Sequence, residues 1–400
     1  MFTPLTNSFL LNPVPLQLTL NYCSHNCIYC FSNINNPKRK ADLKKILSQL
    51  KNHKTRNDLT SFYLREKYPV LISNNIDPFS KNNYQIVDQI VDILLDYDIP
   101  IQFNTRGGFG WKEISDKVKP SVFYVSVPYS DDEIRLKYEP QAPSLDERFE
   151  MVKELVKKHK VMIGINPFNK VFCENPKDII DKYREIGVKN FWVNAFHLSY
   201  KQQSNLTQRQ KDILGEDLLK NAANKKNYDN ETIQLYIETR EYAQEVGCTI
   251  VGTPSGHYEP YFEDLYSVYP KLLPTQNDFF RWCEENKNDG DFVTFKEFYD
   301  FFAPLLPDLE TNISPLIYNK SNLKDKTYFK KTKFTNLLHV MWDSPAGLQI
   351  PLYYPVFSWV KKQFETKLDW IKDENGDRVM LYHPHFYNTK EAQILEEIDN

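Results

Sequence analysis

Leu16-Gln17-Leu18-Thr19-Leu20-Asn21-Tyr22-Cys23-Ser24-His25-Asn26-Cys27-Ile28-Tyr29-Cys30 is a short apolar run ending in a polar turn that carries three cysteines at C-x3-C-x2-C spacing. The run has the length and composition of a buried strand. The cysteines therefore sit in the loop just beyond a strand's carboxyl end. Three thiolates bind three irons, and a cubane iron-sulfur cluster has four, so three ligands leave one iron open to an exogenous group. A zinc site asks for a fourth Cys or His at tetrahedral spacing, and His25, lying between ligands, is a poor fourth. A disulfide would leave one of the three odd. Zinc and purely structural cysteines stay as the alternatives to a 4Fe-4S cluster held by Cys23, Cys27 and Cys30.

Outward from this stretch, short β-rich runs alternate with helical ones as far as Gly252, the pattern of a parallel sheet built from β-α units. Six strands are expected: Leu16 to Asn21, Val70 to Ser73, Ile99 to Asn104, Val122 to Val127, Val161 to Asn166 and Phe191 to Ala195. Helical spacing runs through Tyr84 to Asp96, Ser144 to Lys158 and Lys177 to Ile186, with further helices at Thr207 to Asn221 and Glu231 to Val246. Ser144 with Glu147 forms a capping-box signature. The expected fold class is α/β, a partial (β/α)6 barrel over residues 1–252 with the cluster loop at 21–31, followed by a mixed α+β region over 253–400 that covers the mouth of the site. In that region helices are expected near Asn277 to Glu285, Phe295 to Phe302 and Val356 to Lys367. A hairpin is expected from Leu368 to Lys372 and Arg378 to Tyr382 around Asn375-Gly376. Ligands of such sheets lie at the carboxyl ends of the strands.

Composition bounds the rest. The 400 residues are 41% apolar and 14% aromatic with only 12 Gly, which excludes a disordered or collagen-like chain. A net charge of -3 gives no global pull toward nucleic acid or an anionic membrane. No run approaches 18 apolar residues and the start Met1-Phe2-Thr3-Pro4 has no signal-peptide pattern, so a soluble cytoplasmic protein with no membrane partner is expected. Six cysteines are too few for a disulfide scaffold.

The cysteine loop after the first strand of a β-α series resembles the radical S-adenosylmethionine superfamily, and further segments are similar to its spore photoproduct lyase-like branch. These are Asn75-Ile76-Asp77-Pro78-Phe79, Thr105-Arg106-Gly107, Ser126, and Tyr138-Glu139-Pro140-Gln141-Ala142-Pro143-Ser144 with Arg148, over about residues 14–200. The resemblance implies that S-adenosylmethionine binds the open iron through its methionine end. Reductive cleavage then yields a 5'-deoxyadenosyl radical that abstracts hydrogen from substrate. The cofactor supplies the hard chemistry. An electron donor such as a flavodoxin or ferredoxin is expected as a partner. Here Arg106 stands where the branch carries lysine, keeping a charge able to grip a carboxylate, and the acid that often follows the Asp-Pro turn is missing.

By the same resemblance Tyr29 packs near adenine, with loop packing as its plain alternative. Asp77 and Arg106 lie at the cofactor, and Ser126 bonds the ribose or caps a turn. Asn166 is placed for adenine or ribose, or shapes a turn. Glu139 and Arg148 either contact the cofactor or form an ion pair that fixes a loop. For the catalytic step Cys173, Cys248 and His197 are candidates; each is otherwise a packed thiol or a satisfied polar residue, as is Cys283. His383-Pro384-His385 lacks a third ligand. Residues 38–56 hold eight Lys or Arg against one acid. Lys38, Arg39, Lys40, Lys44 and Lys45 form either a phosphate-binding patch or a solvated helix face. Trp342, Tyr353, Tyr354 and Trp359 stack bases or form core. Substrate hypotheses are a nucleic-acid base, a peptide or small metabolite, and, without catalysis, a cluster-bearing regulatory protein.

Overall fold

The computed structural model describes residues 1–4, 13–30, 32, 34, 40–72, 75–223, 230–252, 261–270, 276–311, 332–343, 357–359, 361–364 and 367–382. Its centre is an eight-stranded sheet in chain order, β1 (Phe2–Pro4), β2 (Leu16–Leu18), β3 (Val70–Ile72), β4 (Ile101–Thr105), β5 (Val122–Ser126), β6 (Lys160–Phe168), β7 (Asn190–Ala195) and β8 (Thr249–Gly252). β1 pairs antiparallel with β2, and β2 through β8 run parallel. The α/β architecture of a partial barrel is thus present, with a seventh parallel strand. β8 escaped the sequence count because four residues after a helix carry little pattern; its pairing with β7, Asn190 to Thr249 through Val193 to Gly252, makes it a strand.

Successive residues of each strand face opposite sides. Leu16, Leu18, Val70, Ile72, Phe103, Phe123, Val125, Ile163, Ile165, Phe191 and Val193 join the large core under the helices. Leu71, Val122 and Met162 face inward and meet Leu265 and Tyr269 in a second, smaller core. Tyr269 stops the amino end of the barrel: its hydroxyl donates to the Ile101 carbonyl at 2.7 Å and accepts from the Val122 amide at 2.8 Å. A floor packed from below leaves the carboxyl ends as the place for a site.

The helix Tyr84–Asp96 stands at its expected bounds, and Ser144 and Glu147 complete the expected capping box before Leu145–Leu155. The expected helix over 207–221 is two, Gln208–Leu214 and Glu216–Ala223, because Gly215 takes φ +80° and its amide closes on Lys211 O. Residues 356–367 are not helical where described. Phe357–Trp359 pairs with Met380–Tyr382, and Lys361–Phe364 pairs with Lys367–Trp370. The hairpin around Asn375-Gly376 survives as a single Lys372–Arg378 bridge, because the strand after Phe364 takes the upstream partner. Trp342 is core, fully buried, and its indole donates to Arg378 O at 2.8 Å. Phe334 packs edge-on to Phe62 of the helix Leu59–Arg65. Tyr353, Tyr354 and His383-Pro384-His385 lie outside the described residues, as does Ser73 of the expected second strand, and no described helix is long and apolar enough to cross a membrane.

His159 lies at the entry to β6, where its Nδ1 accepts from the Ser121 amide at 3.2 Å and its Nε2 meets Ser115 O at 3.2 Å. Burial, with Lys158 adding to it, lowers its pKa to about 4. A folded pKa below the unfolded one means that the unfolded chain takes up the proton first. This contribution is therefore whole above the ordinary histidine range and is lost as pH falls from about 6.5 to about 4. In urea unfolding, His159→Gln is expected to flatten the decline in stability between pH 7 and pH 5; an unchanged slope would refute the assignment.

Candidate active site

The cysteine loop leaves β2 and crosses the carboxyl ends of the neighbouring strands. Cys23 and Cys27 are buried and Cys30 is half-buried, none in a disulfide. Tyr22 marks their common neighbourhood: its phenol is pushed up first by burial and then by Cys23, Cys30 and Cys27 in turn. Burial raises the Cys23 thiol to about 11, the Asp77 charge adds to this, and the amides of His25 and Asp77 partly offset it. Cys27 is also raised by burial, with Arg106 acting against the rise. Metal coordination is what converts such buried thiols to thiolates.

Among the described residues no three His, Cys, Asp or Glu side chains converge on one ion. A cubane's ligands need not do so, since each holds a separate iron. His25 does not join the thiols through its Nε2: that atom sits 3.3 Å from Asp77 Oδ2 and 3.1 Å from Gly107 O. Three gathered thiols with the nearby imidazole engaged elsewhere fit a three-cysteine cluster with one open iron.

Two buried carboxylates hold this loop. Asp77, after β3, accepts from the Phe79 amide at 2.9 Å, the Thr105 hydroxyl at 2.8 Å and the Arg106 amide at 2.5 Å, besides facing His25. It links the ends of β3 and β4 to the cysteine loop. Burial alone would raise its pKa, but His25 and the donated hydrogen bonds outweigh burial and hold it below the ordinary value. Gly108 permits the tight approach: it takes φ +136°, and a Cβ there would stand 2.3 Å from Phe79 O.

Glu139, fully buried after β5, accepts from Arg106 Nε at 2.7 Å, Arg148 Nη2 at 2.5 Å and the Tyr29 hydroxyl. Tyr129 in turn donates to Tyr29 at 3.1 Å. Against burial, which favours the neutral acid, Arg106 and Arg148 bring Glu139 down to about 2. Arg148 also donates to Ser126 O at 2.9 Å and Pro143 O at 3.1 Å. The side chain of Arg106 is 24% exposed. Tyr29 meets Phe172 and Phe196 edge-on at 5.7 and 5.9 Å.

The structure thus brings Cys23, Cys27, Cys30, Tyr29, Asp77, Arg106, Glu139 and Arg148 into one connected network. Ser126, whose hydroxyl donates to Asn166 O at 3.2 Å, joins it through Arg148. His197 is exposed beyond β7 and Cys173 is buried beside Phe172, both at the carboxyl ends. Cys248 is not brought there: it precedes β8, its sulfur 4.0 Å from Val188 O at the amino ends, and Cys283 lies in the helix Gln276–Asn286. Lys38 and Arg39 lie outside the described residues. Lys40 and Lys44 are exposed, as is Lys45, paired with Asp42 at 3.5 Å, and the Ala41 amide bonds Asn21 Oδ1 at 2.9 Å, two residues before Cys23.

Sequence reasoning missed His25 as a brace, Tyr129, and Gln210, whose amide donates to Ile28 O at 3.0 Å while also capping Thr207. The Thr207–Gln210 spacing reads as a helix cap from sequence, but nothing local tells of a reach of 182 residues.

No protein-family model matches the chain and no curated protein matches its sequence. Among solved structures, spore photoproduct lyase complexed with dinucleoside spore photoproduct is similar at 12% identity over 61% of this chain and 80% of that chain, with a TM-score of 0.45. SuiB of Streptococcus suis bound to S-adenosylmethionine is similar at 17% identity over 86% of this chain and 69% of that chain, with a TM-score of 0.43.

Proposed function

We propose that this chain is a radical S-adenosylmethionine enzyme whose Cys23, Cys27 and Cys30 hold a 4Fe-4S cluster with one open iron. The observation that carries it is the gathering of three thiols, none in a disulfide, at the carboxyl end of β2, braced on one side by Asp77 and on the other by the Glu139 network. When bound, such a cluster supplies the electron that splits the sulfonium of S-adenosylmethionine into methionine and a 5'-deoxyadenosyl radical. Arg106, oriented by Glu139 through Nε, offers its outer N–H groups to the methionine carboxylate. Asn166 and Ser126 lie at the mouth where the adenosine end would rest. Tyr29, fixed by Glu139 and two phenylalanines, shapes the apolar wall beside it.

For the substrate we favour a nucleic-acid base. Support comes from Lys40 and Lys44, exposed on a segment hydrogen-bonded to the strand end that carries the cysteines. If these lysines hold phosphates, binding of single-stranded oligonucleotide falls linearly with log salt, and each Lys→Ala change lowers the slope by about 0.7. A flat salt response would turn the search to peptides and small metabolites.

Anaerobic reconstitution with iron and sulfide, then dithionite and S-adenosylmethionine, tests the reaction class. Four irons per chain and 5'-deoxyadenosine are expected in wild type, and neither in Cys27→Ala. A loaded cluster without cleavage would leave a regulatory protein, and zinc in place of iron would end the proposal.

A further inference from the structure

Cys27 and Cys30 are separated by two residues, and the Cys30 amide closes on Cys27 O at 3.1 Å, so two of the three thiols stand at the ends of one tight turn. The peptide in the middle of that turn joins Ile28 to Tyr29. Ile28 is held from two sides. Its amide donates to Tyr138 O at 2.9 Å, at the end of the helix Asp132–Tyr138, and its carbonyl accepts from Gln210 Nε2 at 3.0 Å. Tyr29 is fixed through Glu139, again from the stretch after β5. Gln210 belongs to the helix Gln208–Leu214, beyond β7, so the turn is gripped between the segments that follow β5 and β7.

The Gln210 side chain is used at both of its ends. Its oxygen accepts from the Thr207 amide at 2.9 Å and the Thr207 hydroxyl at 3.1 Å, which completes a capping box, and its nitrogen serves Ile28. Glutamate serves a capping box as well as glutamine does. At Ser144 and Thr294 the same cap is made by Glu147 and Glu297. Capping therefore does not call for an amide at position 210, whereas the bond to Ile28 O does, because a carboxylate has no donor. The helix is itself well supported, with Leu206 before it and Leu214 at its end buried in the large core.

We infer that Gln210 is a positioning residue for the cluster: through Ile28 O it holds the turn that carries Cys27 and Cys30, and so sets how firmly iron is kept and at what potential an electron is taken up. Groups that touch a metal's ligands from outside orient those ligands and tune both affinity and potential. A carboxylate in place of the donor would free the carbonyl and add negative charge beside the turn, which makes reduction of a bound cluster less favourable. This role rests on the proposed reaction class, and its point of action, Ile28 O, lies outside the contacts of Asp77 and Glu139.

The deciding variant is Gln210→Glu, which keeps the cap and removes the donor. Its control is Gln202→Glu, the same change in the neighbouring capping box with Ser199, where the amide nitrogen has no hydrogen bond among the described residues. In the reduced, metal-free chain, hydrogen exchange at the Ile28 and Cys30 amides is expected to run about five-fold faster in Gln210→Glu, with the amides of 211–214 still protected. After reconstitution, iron held against a chelator is expected to fall about ten-fold. The midpoint potential, followed by electron paramagnetic resonance, is expected to drop by about a ten-fold change in the reduction equilibrium, 59 mV for one electron. Gln202→Glu is expected to match wild type in all three readings; an equal loss there would make the effect one of charge on the segment and overturn the inference. Gln210→Met, which lacks donor and charge alike, is expected to share the faster exchange and the weaker iron retention, and wild-type values in it would also overturn the inference. A wild type that loads zinc in place of iron would overturn the reaction class and the role at the cluster together. Iron held equally by every variant of a protein that makes 5'-deoxyadenosine would overturn this inference alone.

Discussion

Glu139→Ala is expected to cost the fold about 3–5 kcal/mol, measured by urea unfolding of the metal-free chain under reducing conditions. The carboxylate is fully buried and neutralises two guanidinium groups at 2.7 and 2.5 Å while taking the Tyr29 hydroxyl. Alanine would leave Arg148, itself fully buried, without its countercharge, and an uncompensated buried charge is among the largest penalties a single change can impose. The loop after β5 would also lose its tie to Ser126. Glu139→Gln keeps the shape and some hydrogen bonds, so its loss should be smaller, and Glu139→Ala with Arg148→Met should recover part of it. A loss under about 1 kcal/mol in Glu139→Ala would mean that water reaches the pair, contrary to the packing seen.

Asp77→Asn is expected to lower iron affinity of the reconstituted protein about 10- to 100-fold while leaving the fold nearly intact. Asp77 bears on the Cys23 thiol through its charge, while its two carboxylate oxygens are taken up by other donors. It accepts the Arg106 amide and faces His25 through one oxygen and accepts the Phe79 amide and Thr105 hydroxyl through the other. An amide cannot accept through both atoms, so one set of donors would face an N–H group, and the brace between β3, β4 and the cysteine loop would slacken. Iron and sulfide titration with a chelator in competition measures this. Iron retention equal to wild type would show that the loop is held without Asp77.

Both residues illustrate what local sequence can and cannot reveal. Glu139 and Arg148 are nine residues apart, and their pairing was legible as one of two alternatives. The third member, Arg106, is 33 residues away from Glu139, and Tyr29 is 110. Asp77 was expected at the cofactor; in the structure its oxygens are engaged by this chain's own donors. Nothing in Asn75-Ile76-Asp77-Pro78-Phe79 specifies that, because the donors arrive from β4 and from the cysteine loop.

Hydrophobic period, cap chemistry and ligand spacing are local properties, and they were enough to reveal the strand-helix alternation, the bounds of Tyr84–Asp96, the capping box at Ser144 and the position of three cysteines after the first parallel strand. Long-range contacts alone settled that Phe357–Trp359 and Lys361–Phe364 form strands and that Cys248 lies at the amino ends of the sheet while His197 lies at the carboxyl ends. Those outcomes depend on which strand pairs with which and on which face each residue turns inward, and pairing between distant segments is settled by burial and hydrogen bonding across the whole chain.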